Sequence, residues 1–162
     1  MGTSSVWMLP YTASSVGVAR RRLIGDLSEA GVFEATAGDA GLVLSELISN
    51  ALRHATPLPG SLVRVAWWLD DDCLELAVSD GGGPTVPVVN QPGHSAIGGR
   101  GLGIVDRLAL RWGVCSPPDG ASETTVWAEL ALSPGKADEH SDAGRSADRH
   151  PRRLVITSSR DA

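Results

Sequence analysis

Residues 44–55 read Leu44-Ser45-Glu46-Leu47-Ile48-Ser49-Asn50-Ala51-Leu52-Arg53-His54-Ala55, and the rest of the chain is best read outward from them. Leu42, Val43, Leu47, Ile48 and Ala51 recur at helical spacing and predict a helix from Asp39, a candidate N-cap, to His54, where the Thr-Pro-Leu-Pro-Gly run at 56–60 breaks it. Glu46, Asn50 and His54 stand at i, i+4 and i+8, so they project in one direction from a helix otherwise able to bury most of its circumference. Such a polar line is either the wet edge of a core helix or one wall of a site.

Upstream, residues 1–12 carry little periodic signal and read as irregular. Ser14 or Ser15 then caps a helix through Val16, Ala19, Leu23, Ile24 and Leu27 that Gly31 stops, with Arg20, Arg21 and Arg22 as a solvated face. Downstream, period-two alternation predicts strands at 62–69 and at Cys73–Ser79, joined by the acidic turn Asp70–Asp72. In the second strand Leu74, Leu76 and Val78 share one side, and Asp80 ends it. From Gly81 to Gly101 seven glycines and three prolines leave no periodicity, which inside a compact domain marks a lid or binding loop. A short helix near Leu102–Leu110, a strand at Arg111–Val114 and another at Glu123–Ala131 follow. Beyond Leu132 the sequence turns to Ser, Pro, Gly, Ala and mixed charge, so residues 1–132 read as one domain and 133–162 as a disordered polar tail.

Composition narrows the function classes. The first 132 residues hold 8 basic and 14 acidic side chains, which argues against direct nucleic-acid binding or an anionic membrane surface on the body. Two cysteines, Cys73 and Cys115, without CxxC spacing or a histidine cluster indicate neither a disulfide scaffold nor a zinc site, and the isolated His94 is no metal ligand by itself. No apolar stretch reaches the length of a bilayer crossing and no leader pattern opens the chain, so a cytoplasmic protein without membrane attachment is expected. Trp67, Trp68 and Trp127 read as core or interface residues.

Three segments occur in a telling order: the Glu46–His54 helix, Val78-Ser79-Asp80-Gly81-Gly82-Gly83 at a strand end, and Gly98-Gly99-Arg100-Gly101-Leu102-Gly103 at a helix start. A carboxylate and an amide can organise water and a divalent ion, an aspartate can accept from an exocyclic amine, and a glycine-rich turn can bring N–H groups to phosphate. No GxxxxGK[ST] match is present, so the P-loop architecture is not used.

Over about residues 12–132 the chain resembles the GHKL ATPase superfamily, and within it the compact anti-sigma-factor serine/threonine kinases. The resemblance implies an α+β sandwich, a mixed and mainly antiparallel sheet packed against helices, with ATP beside the helix layer under the 81–101 lid. It implies Glu46 as the general base that activates a serine or threonine hydroxyl, Asn50 as the ligand of a magnesium ion bridging the phosphates, and Asp80 as the group that recognises the adenine amine. Gly82 would leave room beside the base, Gly99, Arg100, Gly101, Leu102 and Gly103 would shape the phosphate-facing lid, and Thr125 would lie near the adenine. The chain departs from the branch at Glu123 and Thr124, where glycine and lysine commonly precede that threonine.

The implied activity is Mg-ATP-dependent phosphorylation of an anti-anti-sigma antagonist in a partner-switching circuit, with a sigma factor as the alternate partner and a homodimer formed through the first helix and the sheet side. A non-catalytic ATP-dependent binding module and a simple ATPase are the alternatives.

Overall fold

The computed structural model describes residues 2–83, 100–117 and 119–132. Most of the expected lid, with His94 and Gly99, and the tail at 133–162 lie outside these residues. Eight elements follow in order: β1 (Thr3–Pro10), α1 (Ser14–Glu29), α2 (Glu34–His54), β2 (Leu62–Leu69), β3 (Cys73–Asp80), α3 (Arg100–Leu108), β4 (Arg111–Cys115) and β5 (Thr124–Ala131). The strands form one sheet in the order β1-β2-β3-β5-β4, with every neighbouring pair antiparallel. The helices pack on one face, giving the α+β sandwich read from the sequence.

The N-terminal residues correct the expectation of an irregular start. Residues 3–10 form an edge strand antiparallel to β2, with Trp7 opposite Val65 and Leu9 opposite Val63. Trp7 and Leu9 enter the core while Val6 and Met8 stay exposed. With apolar residues on both faces and Pro10 at its end, the segment hides its period of two.

Helix α1 begins as expected, although Ser15 uses its hydroxyl to bond the Pro10 carbonyl (2.6 Å) and no side chain caps the helix. Its C-terminus is a Schellman turn. Gly31, at φ +80°, donates to Ser28 O (3.1 Å) and Val32 donates to Leu27 O (3.0 Å), a conformation that favours glycine.

Helix α2 starts five residues before the predicted Asp39, after an extended Phe33, with Glu34 favourably placed in the first turn. Ala37, Ala40, Leu44, Leu47 and Ala51 are all buried along one stripe, and the low-propensity residues Thr36, Gly38 and Gly41 mask its first turns in the sequence. A side chain at 41 would press on the Ile24 side chain and on Arg20 Cγ, so glycine there lets α1 and α2 approach closely.

The inner faces of β2, β3 and β5 supply Val63, Val65, Trp67, Leu74, Leu76, Val78, Val126, Ala128 and Leu130 to the same core. Burying each leucine or valine contributes about 1.5–3 kcal/mol, which is why these alternating positions fix the register. The 70–72 turn closes on Asp70, whose Oδ1 accepts from the N–H groups of Asp72 and Cys73 at 2.9 Å.

Candidate functional site

The site gathers where β3 ends beside the last turn of α2. The chain leaving α2 is laced to the chain leaving β3: Gly81 N–H donates to Thr56 O, and Thr56 N–H and Oγ1 both reach Gly82 O, all at 2.8 Å. A side chain at 82 would overlap the Ser122 carbonyl, one at 81 the Pro57 carbonyl and one at 83 the His54 carbonyl, and Gly82 also adopts φ +82°. This glycine run thus allows close passage of backbone on backbone.

Asp80 is 3% exposed, and its Oδ1 accepts from Gly82 N–H at 2.7 Å. Burial pushes its carboxyl up to about 6, the Glu123 carboxylate pushes the same way, and the Gly82 hydrogen bond pulls partly back. Tyr11, just after β1, donates its hydroxyl to the α2 carbonyl of Ala51 (2.8 Å). Burial and the nearby Asp80 raise the Tyr11 phenol, so it remains a donor at neutral pH. Nothing in the residue pattern marked Tyr11, because its partners are main-chain atoms 40 residues away.

One helical turn before His54, Asn50 is 7% exposed and makes no hydrogen bond with another described residue. Glu46, a further turn back, is half-buried, whereas Arg53 and His54 are exposed. An amide oxygen is a hard donor of the type magnesium accepts, and Asp80 keeps a second carboxylate oxygen beyond the one that Gly82 occupies. The donor types present, an amide oxygen and a carboxylate oxygen, fit a magnesium nucleotide.

The two threonines part company. Asp80 stands opposite Thr124, whereas Thr125 stands opposite Ser79 on the other face of the sheet, with the two hydroxyl oxygens 2.6 Å apart and buried. The structure does not bring Thr125 to Asp80; the threonine beside Asp80 and Gly82 is Thr124. Strand parity carried this signal, because Leu74, Leu76, Val78 and Asp80 share a face, as do Thr124, Val126, Ala128 and Leu130.

The Glu123 departure has a structural partner, since Arg64 of β2 forms an ion pair with it. Leu102 and Gly103 lie in the first turns of α3, whose Val105 enters the core, while Arg100 and Gly101 open the same helix. A cavity of about 440 Å³ between Gly31, Phe33, Asp71 and Leu132 lies at the opposite end of the sheet and takes no part in the site.

The chain belongs to the histidine kinase-like ATPase domain family, whose model matches residues 9–128. Among solved structures it is similar to the RsbU and RsbW domains of Rv1364c from Mycobacterium tuberculosis, at 19% identity and a TM-score of 0.59 over 80% of this chain. This chain spans 32% of that one, and at this identity the likeness is one of fold. No curated relative matches the sequence. Among the described residues no helix is long and apolar enough to cross a membrane.

Proposed function

We propose that the protein binds Mg-ATP and transfers its γ-phosphate to a serine or threonine of a partner protein, as a cytoplasmic anti-sigma-factor kinase. The observation that carries the reading is the line of Glu46 and the buried Asn50, which has no hydrogen-bond partner among the described residues, on α2, alongside the Asp80–Gly83 turn. In this reading Asp80 accepts from the adenine amine and Asn50 ligates the metal, which draws charge from the phosphates. Glu46 takes the proton of the substrate hydroxyl, whose oxygen bonds to the γ-phosphorus as ADP leaves. The α3 N-terminus, from Arg100 to Gly103, offers backbone N–H groups to the phosphates. The substrate is an anti-anti-sigma antagonist, the alternate partner is a sigma factor, and the working form is a homodimer.

The deciding experiment follows labelled γ-phosphate from ATP to the antagonist. Wild type should label it, and Glu46→Ala should lower transfer by two orders of magnitude or more while still binding ATP. ATP binding and antagonist binding without transfer by wild type would overturn the kinase reading. A second reading, an ATP-dependent binding module, is favoured by one feature: Glu123 and Thr124 stand where members of this branch commonly carry glycine and lysine, and the Glu123 carboxylate raises the pKa of Asp80.

A further inference from the structure

Gly81-Gly82-Gly83 leave the turn after β3 with no side chain of its own to restrict the backbone. The restraint comes from Thr56, two residues beyond α2, which spends all three of its polar groups on this turn. Its carbonyl accepts from Gly81 N–H, and its N–H and Oγ1 both donate to Gly82 O, each at 2.8 Å. The chain entering Thr56 is itself tied down, because the Tyr11 hydroxyl lies 2.8 Å from Ala51 O and also reaches Ala55 O. Thr56 is exposed while Gly82 is buried, so its hydroxyl grips a buried carbonyl from the surface.

The other polar group of Gly82 faces Asp80. Among the described residues, Gly82 N–H is the one hydrogen-bond donor to that carboxylate, on Oδ1 at 2.7 Å. The last torsion of an aspartate side chain has only a broad preference of its own, so this N–H decides where the second oxygen points. Gly82, at φ +82°, is therefore pinned between Thr56 on its carbonyl and Asp80 on its N–H. The two backbone bonds of Thr56 survive a substitution, and Oγ1 is what its side chain adds to the fastening.

We propose that Thr56 is a positioning residue for base recognition: its hydroxyl holds Gly82 so that Asp80 presents one free oxygen in a fixed direction. Thr56 thereby sets the discrimination between a purine with an exocyclic amine and one with a carbonyl in its place. This role rests on the reading of Asp80 as the acceptor for the adenine amine. A fixed acceptor pairs with the amine, whereas against a carbonyl it meets a second acceptor and the contact goes unpaired. When the turn is loosened the carboxylate swings, and the difference between the two bases shrinks.

Calorimetry on the full chain with magnesium compares ATP with inosine triphosphate, which carries a carbonyl where ATP carries the amine. Wild type should prefer ATP. Thr56→Val keeps the shape of the side chain and disturbs no core packing, and it should lower the preference about three- to tenfold with circular dichroism native. Thr56→Ala should match it, and Thr56→Ser should restore the preference. Parallel weakening of both nucleotides, with the preference unchanged, would reduce Thr56 to a structural residue and overturn its assignment. In the nucleotide-free protein Gly82 N–H should exchange about threefold faster or more in Thr56→Val, and an unchanged rate would equally overturn the role. Asp80→Asn separates this inference from the reading beneath it. A wild type without preference, or an Asp80→Asn variant that keeps it, would remove the Asp80 reading and the Thr56 role together. Preference lost in Asp80→Asn but kept in Thr56→Val would refute the Thr56 role alone.

Discussion

Replacing Asp80 by asparagine should make the protein more stable and a worse nucleotide binder at the same time. Asp80 is nearly fully buried and its carboxyl is held at about 6, against 3.8 in the unfolded chain. Between these values the folded protein keeps a proton that the unfolded chain has lost. Stability therefore falls as pH rises through that window, and the penalty is complete above about pH 6. Two pKa units set a ceiling of about 3 kcal/mol, and solvent screening at the open side of the site reduces the expected effect to about 1–2 kcal/mol. The Asp80→Asn amide oxygen can still accept from Gly82 N–H, so that hydrogen bond survives. Urea unfolding should thus show the variant about 1–2 kcal/mol more stable at pH 7, with the gain nearly gone at pH 4. With its oxygen on Gly82, the variant turns an N–H donor toward the base amine, and calorimetry should find ATP affinity lowered by tenfold or more. For wild type, affinity should weaken as pH falls below about 6, because the protonated carboxyl no longer accepts. A variant that is less stable at pH 7, or equally stabilised at both pH values, would refute the electrostatic reasoning. Unchanged ATP affinity in the folded variant would remove Asp80 from the pocket.

The other residues of the site separate by the quantity they move. Asn50→Ala should abolish the magnesium-dependent part of ATP binding while leaving affinity in EDTA unchanged, and stability should drop by no more than about 0.5 kcal/mol because the amide has no described partner to lose; equal losses with and without magnesium would contradict a metal role. Thr124→Val should lower ATP affinity several-fold at constant stability. Thr125→Val should instead cost about 1–2 kcal/mol in urea unfolding, by stranding the Ser79 hydroxyl, and leave affinity unchanged; the reverse pattern would return the binding role to Thr125.

What the sequence made legible follows the strength of each local signal. The helix carrying Glu46 and Asn50 and the strand ending at Asp80 were readable because aliphatic residues recur there at an unbroken period. β1 was not, because an edge strand with Trp7 and Leu9 inward and Val6 and Met8 outward offers no contrast between its faces. The start of α2 was obscured by glycines whose purpose is contact with α1, a tertiary reason that local propensity cannot express. The threonines show a further limit: motif spacing alone chose Thr125, yet strand parity assigns Thr124 to the Asp80 face. That parity was available from Leu74, Leu76 and Val78 on one strand and Val126, Ala128 and Leu130 on the other. A residue adjacent to a motif in sequence lies on the opposite face of a strand, so a one-residue difference in assignment exchanges a ligand contact for a hydrogen bond on the far side of the sheet.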